Sequence, residues 1–107
     1  MVAYVPAGIR TRQQLFEALS RQLALPDYFG NNFDSLEECL RDLSWLPAGT
    51  IVLQHRELPF DPGSTDREIY LDVLHDCQSH WRNLGTSPDR LQVELPKADT
   101  GPARPAK

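Results

Sequence analysis

The chain of 107 residues lacks several features that define broad classes of protein. No run approaches the roughly 18 apolar residues of a membrane span, and the first residues, MVAYVPAGIR, lack the basic start and apolar run of a signal peptide. There are only two cysteines, Cys39 and Cys77, each on the apolar side of a predicted helix, where a free thiol packs as a small hydrophobe. We therefore expect a cytoplasmic protein without a disulfide and without membrane contact.

Features of nucleotide, metal and nucleic-acid sites are also missing. There is no basic stripe, and 15 acidic against 11 basic residues give a net charge of -4, which argues against direct binding of nucleic acid. No glycine-rich phosphate loop is present. The histidines His55, His75 and His80 are scattered, and the last two are five residues apart, off a single helical face. We expect no metal and no cofactor.

What is present is the composition of a globular domain, with 40% hydrophobic and 24% charged residues. Residues 1–96 are expected to form one domain. Residues 97–107 contain two prolines, a glycine and no large apolar side chain, and they predict a disordered tail.

The first half of the chain predicts a strand and two helices. Val2–Val5 is a short apolar strand. Thr11 and Gln14 have the spacing of a capping box that opens a helix, and Pro26 marks its end because the residue before a proline avoids the helical conformation. Asn32 is a suitable N-cap for a second helix.

The second half predicts a strand, a helix and a strand. Residues 50–53 are a continuous run of β-branched and apolar residues and predict a strand buried on both faces, and residues 54–64 predict a surface loop. Thr65 and Glu68 form a second apparent capping box, and Gly85 ends that helix. Its predicted inward positions are Ile69, Tyr70, Val73, Leu74, Cys77, Trp81 and Leu84.

Leu91, Val93 and Leu95 alternate with polar residues and predict a half-exposed edge strand. The element order is β-α-α-β-α-β, and strands joined through helices favour a parallel sheet. The predicted fold class is α/β, a small three-stranded parallel sheet packed with helices.

The most informative segment is residues 26–45, PDYFGNNFDSLEECLRDLSW. Apolar residues recur there at spacings of three and four, which places them on one inward helical stripe: Phe33, Leu36, Leu40 and Leu43. From residue 27 to residue 42 there are five acidic residues and one basic residue, so the rest of the chain has ten of each and is neutral. The acidity is therefore local.

Two interpretations of this segment stay open from the residues alone. Asp34 and Glu38 are neighbours four apart and repel each other by roughly 0.2 to 0.5 kcal/mol in an isolated helix, yet charges on the outer face of an amphipathic helix are also ordinary. Tyr28 and Phe29, adjacent in the preceding loop, either plug the domain or form an exposed contact surface.

Residues 23–40, LALPDYFGNNFDSLEECL, resemble the barstar family of ribonuclease inhibitors. They reproduce its leucine-proline, aromatic pair, glycine, asparagine cap, apolar residue, aspartate, leucine, acidic residue, cysteine and leucine. Residues 9–25 resemble the family's first helix, and the resemblance continues weakly to about Leu95. It implies a barstar-like fold and an inhibitor, not an enzyme, whose loop and second helix plug a ribonuclease active site.

The resemblance also implies roles for individual residues. Asp34 is expected to enter the phosphate site, Glu38 to meet the basic cluster of the nuclease, and Tyr28 to lie against its catalytic histidine. Glu37 and Arg41 depart from the family pattern, where an aromatic and a small polar residue are usual. The full expected partner surface is Tyr28, Phe29, Gly30, Asn32, Asp34, Glu37, Glu38, Arg41, Asp42 and Asp76, the last being equally well explained as a solvated carboxylate.

The implied partner is a basic ribonuclease of the barnase type or a related toxin nuclease, bound by an antitoxin or immunity-type protein that is a monomer when free. The acidic segment is also compatible with two other functions. A carboxylate-dependent hydrolase fits poorly, because Asp34 and Glu38 share one convex helix face instead of flanking a cleft. A generic acidic interaction module or DNA mimic is weaker still, because a charge of -4 is far below that of a duplex.

Overall fold

The computed structural model describes residues 1–85 and 89–96 and contains three strands and three helices. They are β1 (Val2–Val5), α1 (Arg12–Leu23), α2 (Phe33–Asp42), β2 (Ile51–His55), α3 (Thr65–Asn83) and β3 (Leu91–Glu94). The predicted order β-α-α-β-α-β is confirmed. The predicted tail, residues 97–107, lies outside the described residues.

The three strands form one parallel sheet in the order β1-β2-β3, which confirms the predicted fold class. Parallel connections are almost always right-handed, and with the strands in chain order this places both crossovers on the same face. Ala3 pairs with Leu53, and Leu53 with Val93, so this row faces the helices. Tyr4, Gln54 and Glu94 form the next row, on the open face.

The open face corrects one prediction. β2 was expected to be buried on both sides, but Val52 and Gln54 are only half-buried. Uniformly apolar strands occur where helices cover both faces, whereas every helix here packs on one face. The long apolar run therefore reflects only the central position of β2 in the sheet.

α1 begins and ends as its sequence predicts. Thr11 Oγ1 accepts from the Gln14 amide at 3.1 Å, and Gln14 Oε1 accepts from the Thr11 amide at 3.1 Å, so the capping box is complete. The helix ends at Leu23, and Ala24 adopts a left-handed conformation with φ 48°. The buried face of α1 packs on β1.

α3 begins one residue earlier than its apparent capping box predicts. The N-cap is Ser64, whose Oγ accepts from the Arg67 amide at 3.2 Å, so the assignment to Thr65 is wrong. Leu84 is also not an inward residue, since it caps the C-terminus and is 59% exposed. The central inward positions Tyr70, Val73, Leu74 and Cys77 are buried as expected.

The segment predicted as a surface loop, residues 54–64, is partly interior. β2 continues through His55, which is buried, and Pro59 and Phe60 are buried as well. Arg67 donates to the carbonyls of Leu58, Pro59 and Phe60 at 3.1, 3.0 and 2.6 Å. These contacts hold the segment against α3.

His55 and Tyr70 form a buried polar pair beneath the carboxyl end of the sheet. His55 Nδ1 lies 3.0 Å from the Glu94 carbonyl, which can only accept, so this nitrogen carries the proton. The neutral Nε2 then accepts from the Tyr70 hydroxyl at 2.7 Å. Burial lowers the pKa of His55 and raises that of Tyr70.

Both cysteines are buried free thiols, as predicted. No described helix is long and apolar enough to cross a membrane.

Candidate protein-binding surface

The acidic helix α2 is closed at its start by the loop that precedes it. Asn32 Oδ1 accepts from the Ser35 amide at 2.7 Å, which confirms the predicted N-cap. Ser35 Oγ accepts from the Gly30 amide at 2.8 Å, and Asn32 Nδ2 donates to the Gly30 carbonyl at 3.1 Å. Gly30 and Asn32 therefore shape the loop. The role of Ser35 was not predicted, although a hydroxyl three residues after a cap was the available signal.

Three aromatic rings fasten the loop and α2 to α1. Phe29 and Phe33 both pack edge-on against Phe16, with ring centroids 5.6 and 5.2 Å apart. The Arg12 guanidinium lies over the Phe33 ring, 5.0 Å from its centroid, and donates to Asp66. The start of α2 is thus held by packing on α1, with a bridge to α3.

The two adjacent aromatics of the loop differ in their exposure to solvent. Phe29 is 9% exposed and plugs the core, while Tyr28 is 59% exposed and points to solvent. The plug interpretation is therefore confirmed for Phe29, and Tyr28 has the exposure that the contact interpretation requires.

The inner side of α2 is fixed by contacts from distant parts of the chain. Phe33, Leu36, Leu40 and Leu43 are all buried, as the stripe predicts. Trp81 Nε1 donates to the Leu40 carbonyl at 2.7 Å, and Cys77 Sγ approaches the Glu37 carbonyl at 3.6 Å.

Arg90 fixes the far end of α2, a role that no pattern in the sequence predicts. Its guanidinium donates to the carbonyls of Leu43 and Leu46 at 2.7 and 3.2 Å and to that of Pro47 at 2.6 Å. A single basic residue before an edge strand carries no local signal of contacts more than 40 residues away.

Tyr28 bridges the loop to the last turn of α2. Its hydroxyl donates to Asp42 Oδ2 at 2.8 Å. This hydrogen bond raises the pKa of Tyr28 to about 12, and it lowers the pKa of Asp42, with further help from Ser44. The Asp42 carboxylate therefore already accepts a hydrogen bond from another residue of this surface.

The two departures from the family pattern pair with each other. Arg41 Nη2 lies 2.8 Å from Glu37 Oε2, one helical turn away. The pair is half exposed, so its stabilising effect is small. Its larger consequence is to neutralise one carboxylate of the acidic face and to place a cation beside the others.

Asp34 and Glu38 are the carboxylates that remain. Both are exposed, and neither forms an ion pair with any residue in the described part of the chain. Together with Glu37 and Arg41 they line a surface depression of about 360 Å³. Two charged acceptors, one turn apart on a fixed helix, are thus available to a cationic partner.

Asp76 lies at the border of this surface. It immediately precedes Cys77, the α3 residue that contacts α2 at Glu37. Its carboxylate is exposed and lies 3.6 Å from His75 Nδ1. The structure thus brings Asp76 near the acidic helix without a direct ion pair to it.

No three histidine, cysteine or acidic side chains among the described residues converge to hold a metal ion. The chemistry that the surface offers is the acceptance of charged hydrogen bonds by carboxylates, together with aromatic contact through Tyr28.

The family comparison covers nearly the whole chain. A sequence model of the family described as Barstar (barnase inhibitor) matches residues 2–94, from the first strand to the last residue of β3. The match includes the loop, the acidic helix and all three strands. The chain therefore belongs to the barstar family, a family of barnase inhibitors.

Proposed function

We propose that this protein inhibits a ribonuclease by covering its active site with α2 and the loop before it. The observation that carries the proposal is the pair Asp34 and Glu38, exposed on a helix held at both ends and unpaired within the described residues. Family membership supplies the class of target, a nuclease of the barnase type.

The chemical argument rests on the substrate of such an enzyme. A ribonuclease binds an RNA phosphate with arginine, lysine and histidine side chains, and a carboxylate offers oxygen acceptors in place of the phosphate oxygens. Charged hydrogen bonds between arginine and carboxylate are among the strongest in proteins. Asp34 would occupy the phosphate site and Glu38 the neighbouring cationic cluster, and the repulsion between them would disappear on binding.

Rigidity favours this function. When a flexible loop must become ordered on binding, the entropy lost lowers the affinity. This loop is already held by Phe29 in the core and by hydrogen bonds at Gly30. Tyr28 presents its ring to solvent with its hydroxyl already bonded to Asp42. Tyr28 would then stack against the catalytic histidine of the target with little loss of freedom.

The remaining surface residues would set which nuclease is bound. Glu37 and Arg41 stand where an aromatic and a small polar residue are usual in the family, and they form an ion pair without net charge. Asp76 adds a carboxylate at the border. A partner suited to this surface would combine cations opposite Asp34 and Glu38 with a polar region opposite the pair.

The opposite fields of an acidic inhibitor and a basic nuclease speed their encounter, and salt weakens that effect. Fast capture suits an antitoxin or immunity-type protein that acts in the cytoplasm, as a free monomer, on a nuclease made by the same cell. Inhibition of this kind needs no catalysis by the inhibitor.

The rival hydrolase function would also use Asp34, so a test must separate the two. Asp34→Asn removes the charge and keeps the shape, and it is predicted to weaken inhibition of a barnase-type nuclease. Turnover of a phosphodiester or glycoside by this protein alone, lost in the same variant, would favour the hydrolase instead.

A further inference from the structure

At each free edge of the sheet, one strand amide is bonded by a glutamine side chain. Gln22 of α1 accepts through Oε1 from the Tyr4 amide of β1 at 2.9 Å. Gln78 of α3 accepts through Oε1 from the Val93 amide of β3 at 2.7 Å. Each glutamine belongs to the helix that packs on the edge strand concerned.

The register shows that these two amides point away from the sheet. Val52 of the central strand and Arg56, the residue after that strand, donate to the carbonyls of Met1 and Val5, so alternate residues of β1 bond inward and Tyr4 faces the free edge.

The same holds on the opposite side. Ile51 donates to the carbonyl of Arg90, which makes Gln92 and Glu94 the inward-bonding residues of β3. Val93 therefore faces the other free edge.

Both edge strands are four residues long, and Pro6 directly follows β1, at a position that faces the free edge as Tyr4 does. Proline has no amide hydrogen, so it cannot extend the row of donors. The outward amides are those of Val2 and Tyr4 in β1 and of Leu91 and Val93 in β3, and in each strand the second of the two is already bonded to a glutamine. An added strand would have to displace the glutamine before it could pair.

Exposed apolar side chains lie next to both edges of the sheet. Val2 and Tyr4 are large, exposed and on the open face at the β1 edge, and Leu95 is exposed beyond β3. An unpaired strand edge beside exposed apolar side chains is a template for association with another chain. β1 of one copy could continue the parallel sheet of a second copy at β3, and such a contact repeats without closing.

We propose that Gln22 and Gln78 keep this chain from adding a strand of a second copy at either edge of its sheet. Neither residue belongs to α2 or its loop, so the role is separate from nuclease inhibition. A main-chain donor that is satisfied by a fixed side chain offers nothing to an incoming strand, while the helix bearing that side chain stays in place.

The test replaces the acceptor and keeps its size. Gln22→Leu, Gln78→Leu and the double variant remove the acceptor, whereas Gln22→Glu and Gln78→Glu retain it. Gln13→Leu is the matched control, because Gln13 is exposed on α1 and bonds Glu17 instead of a strand. Sedimentation velocity over a range of protein concentration measures association, circular dichroism monitors folding, and hydrogen exchange followed by NMR reports on the Tyr4 and Val93 amides.

The leucine variants should associate as concentration rises, most strongly in the double variant, and the exposed amide should exchange roughly 2- to 10-fold faster, as expected for one lost hydrogen bond. Wild type, the glutamate variants and Gln13→Leu should stay monomeric. Leucine variants that fold and remain monomeric would overturn the proposal, whatever their exchange rates. So would equal association of the leucine and glutamate variants, or association of wild type at the same concentrations.

Discussion

Tyr28 and Asp42 are joined by a hydrogen bond of 2.8 Å that connects the loop before the acidic helix to the last turn of that helix. The two residues are 14 positions apart, and between them lie Asp34 and Glu38. The bond fixes the one exposed aromatic of the loop in relation to the carboxylates.

The first prediction concerns the titration of this pair. The pKa of Asp42 lies below its usual value of 3.8 because of the bond from Tyr28, so the stabilisation is present above that value and is lost as pH falls through the folded pKa. Tyr28→Phe should therefore raise the pKa of Asp42, as measured by NMR.

The reciprocal variant supplies the control. Asp42→Asn should lower the pKa of Tyr28 from about 12 towards its ordinary 10.0, as followed by tyrosinate absorbance. The stability that Tyr28 contributes through this bond is present at pH values below its ordinary pKa and is lost as pH rises through its folded pKa. An unchanged titration of both residues would show that the bond is not kept in solution.

The second prediction concerns acid sensitivity at His55. Its folded pKa lies below the ordinary 6.5 because it is buried, so the unfolded chain binds the additional proton first. The free energy of unfolding should fall as pH drops below about 6.5 towards the folded pKa. A protonated ring would also leave the Tyr70 hydroxyl without its acceptor.

Urea denaturation at a series of pH values measures this effect. His55→Gln should lower the stability at neutral pH and flatten the slope below it. A slope that survives in His55→Gln would assign the acid sensitivity to other groups.

The third prediction separates the two aromatics of the loop. Phe29→Ala removes a buried ring that packs on Phe16, and it should cost about 3 kcal/mol of unfolding free energy. Tyr28→Ala should cost clearly less stability than Phe29→Ala, since it removes an exposed ring and one exposed hydrogen bond to Asp42, and it should weaken inhibition of the nuclease. Chemical denaturation and inhibition assays on both variants check this, and equal effects of the two variants on stability would contradict it.

The fourth prediction concerns Arg90. Its guanidinium satisfies the carbonyls of Leu43, Leu46 and Pro47, so Arg90→Ala should cost about 2 kcal/mol. Arg90→Lys should be destabilised as well, because a compact ammonium cannot donate to several carbonyls at once as the planar guanidinium does. Arg82→Ala, which removes only an exposed ion pair at 3.9 Å, is the control for denaturation midpoints.

The predictable parts of this fold are those governed by local periodicity. The stripe from Phe33 to Leu43 and the cap at Asn32 follow from spacing and side-chain chemistry within a few residues, and both are confirmed. The cap of α3 was misplaced by one residue, since Ser64 and Thr65 both carry a suitable hydroxyl. Contacts from Arg67 to the preceding loop accompany the choice of Ser64, and no local pattern reveals them.

In the candidate surface, too, local patterns predict some features and not others. The charge of Asp34 and Glu38 was visible in the sequence, and so was their position outside the apolar stripe. The bond from Tyr28 to Asp42 and the pairing of Arg41 with Glu37 depend on side-chain conformations, for which spacing gives only candidates. To predict that Phe29 is buried and Tyr28 exposed, one would need the position of Phe16, against which Phe29 packs.

The most direct test is titration of a barnase-type ribonuclease with wild type, Asp34→Asn, Glu38→Gln and the control Glu68→Gln, which removes the same charge from the exposed first turn of α3. Asp34→Asn and Glu38→Gln should each weaken inhibition by roughly tenfold or more, as for loss of a charged hydrogen bond, and Glu68→Gln should match wild type. Inhibition by wild type that is unaffected by the α2 substitutions, or reduced equally by all three, would contradict the account.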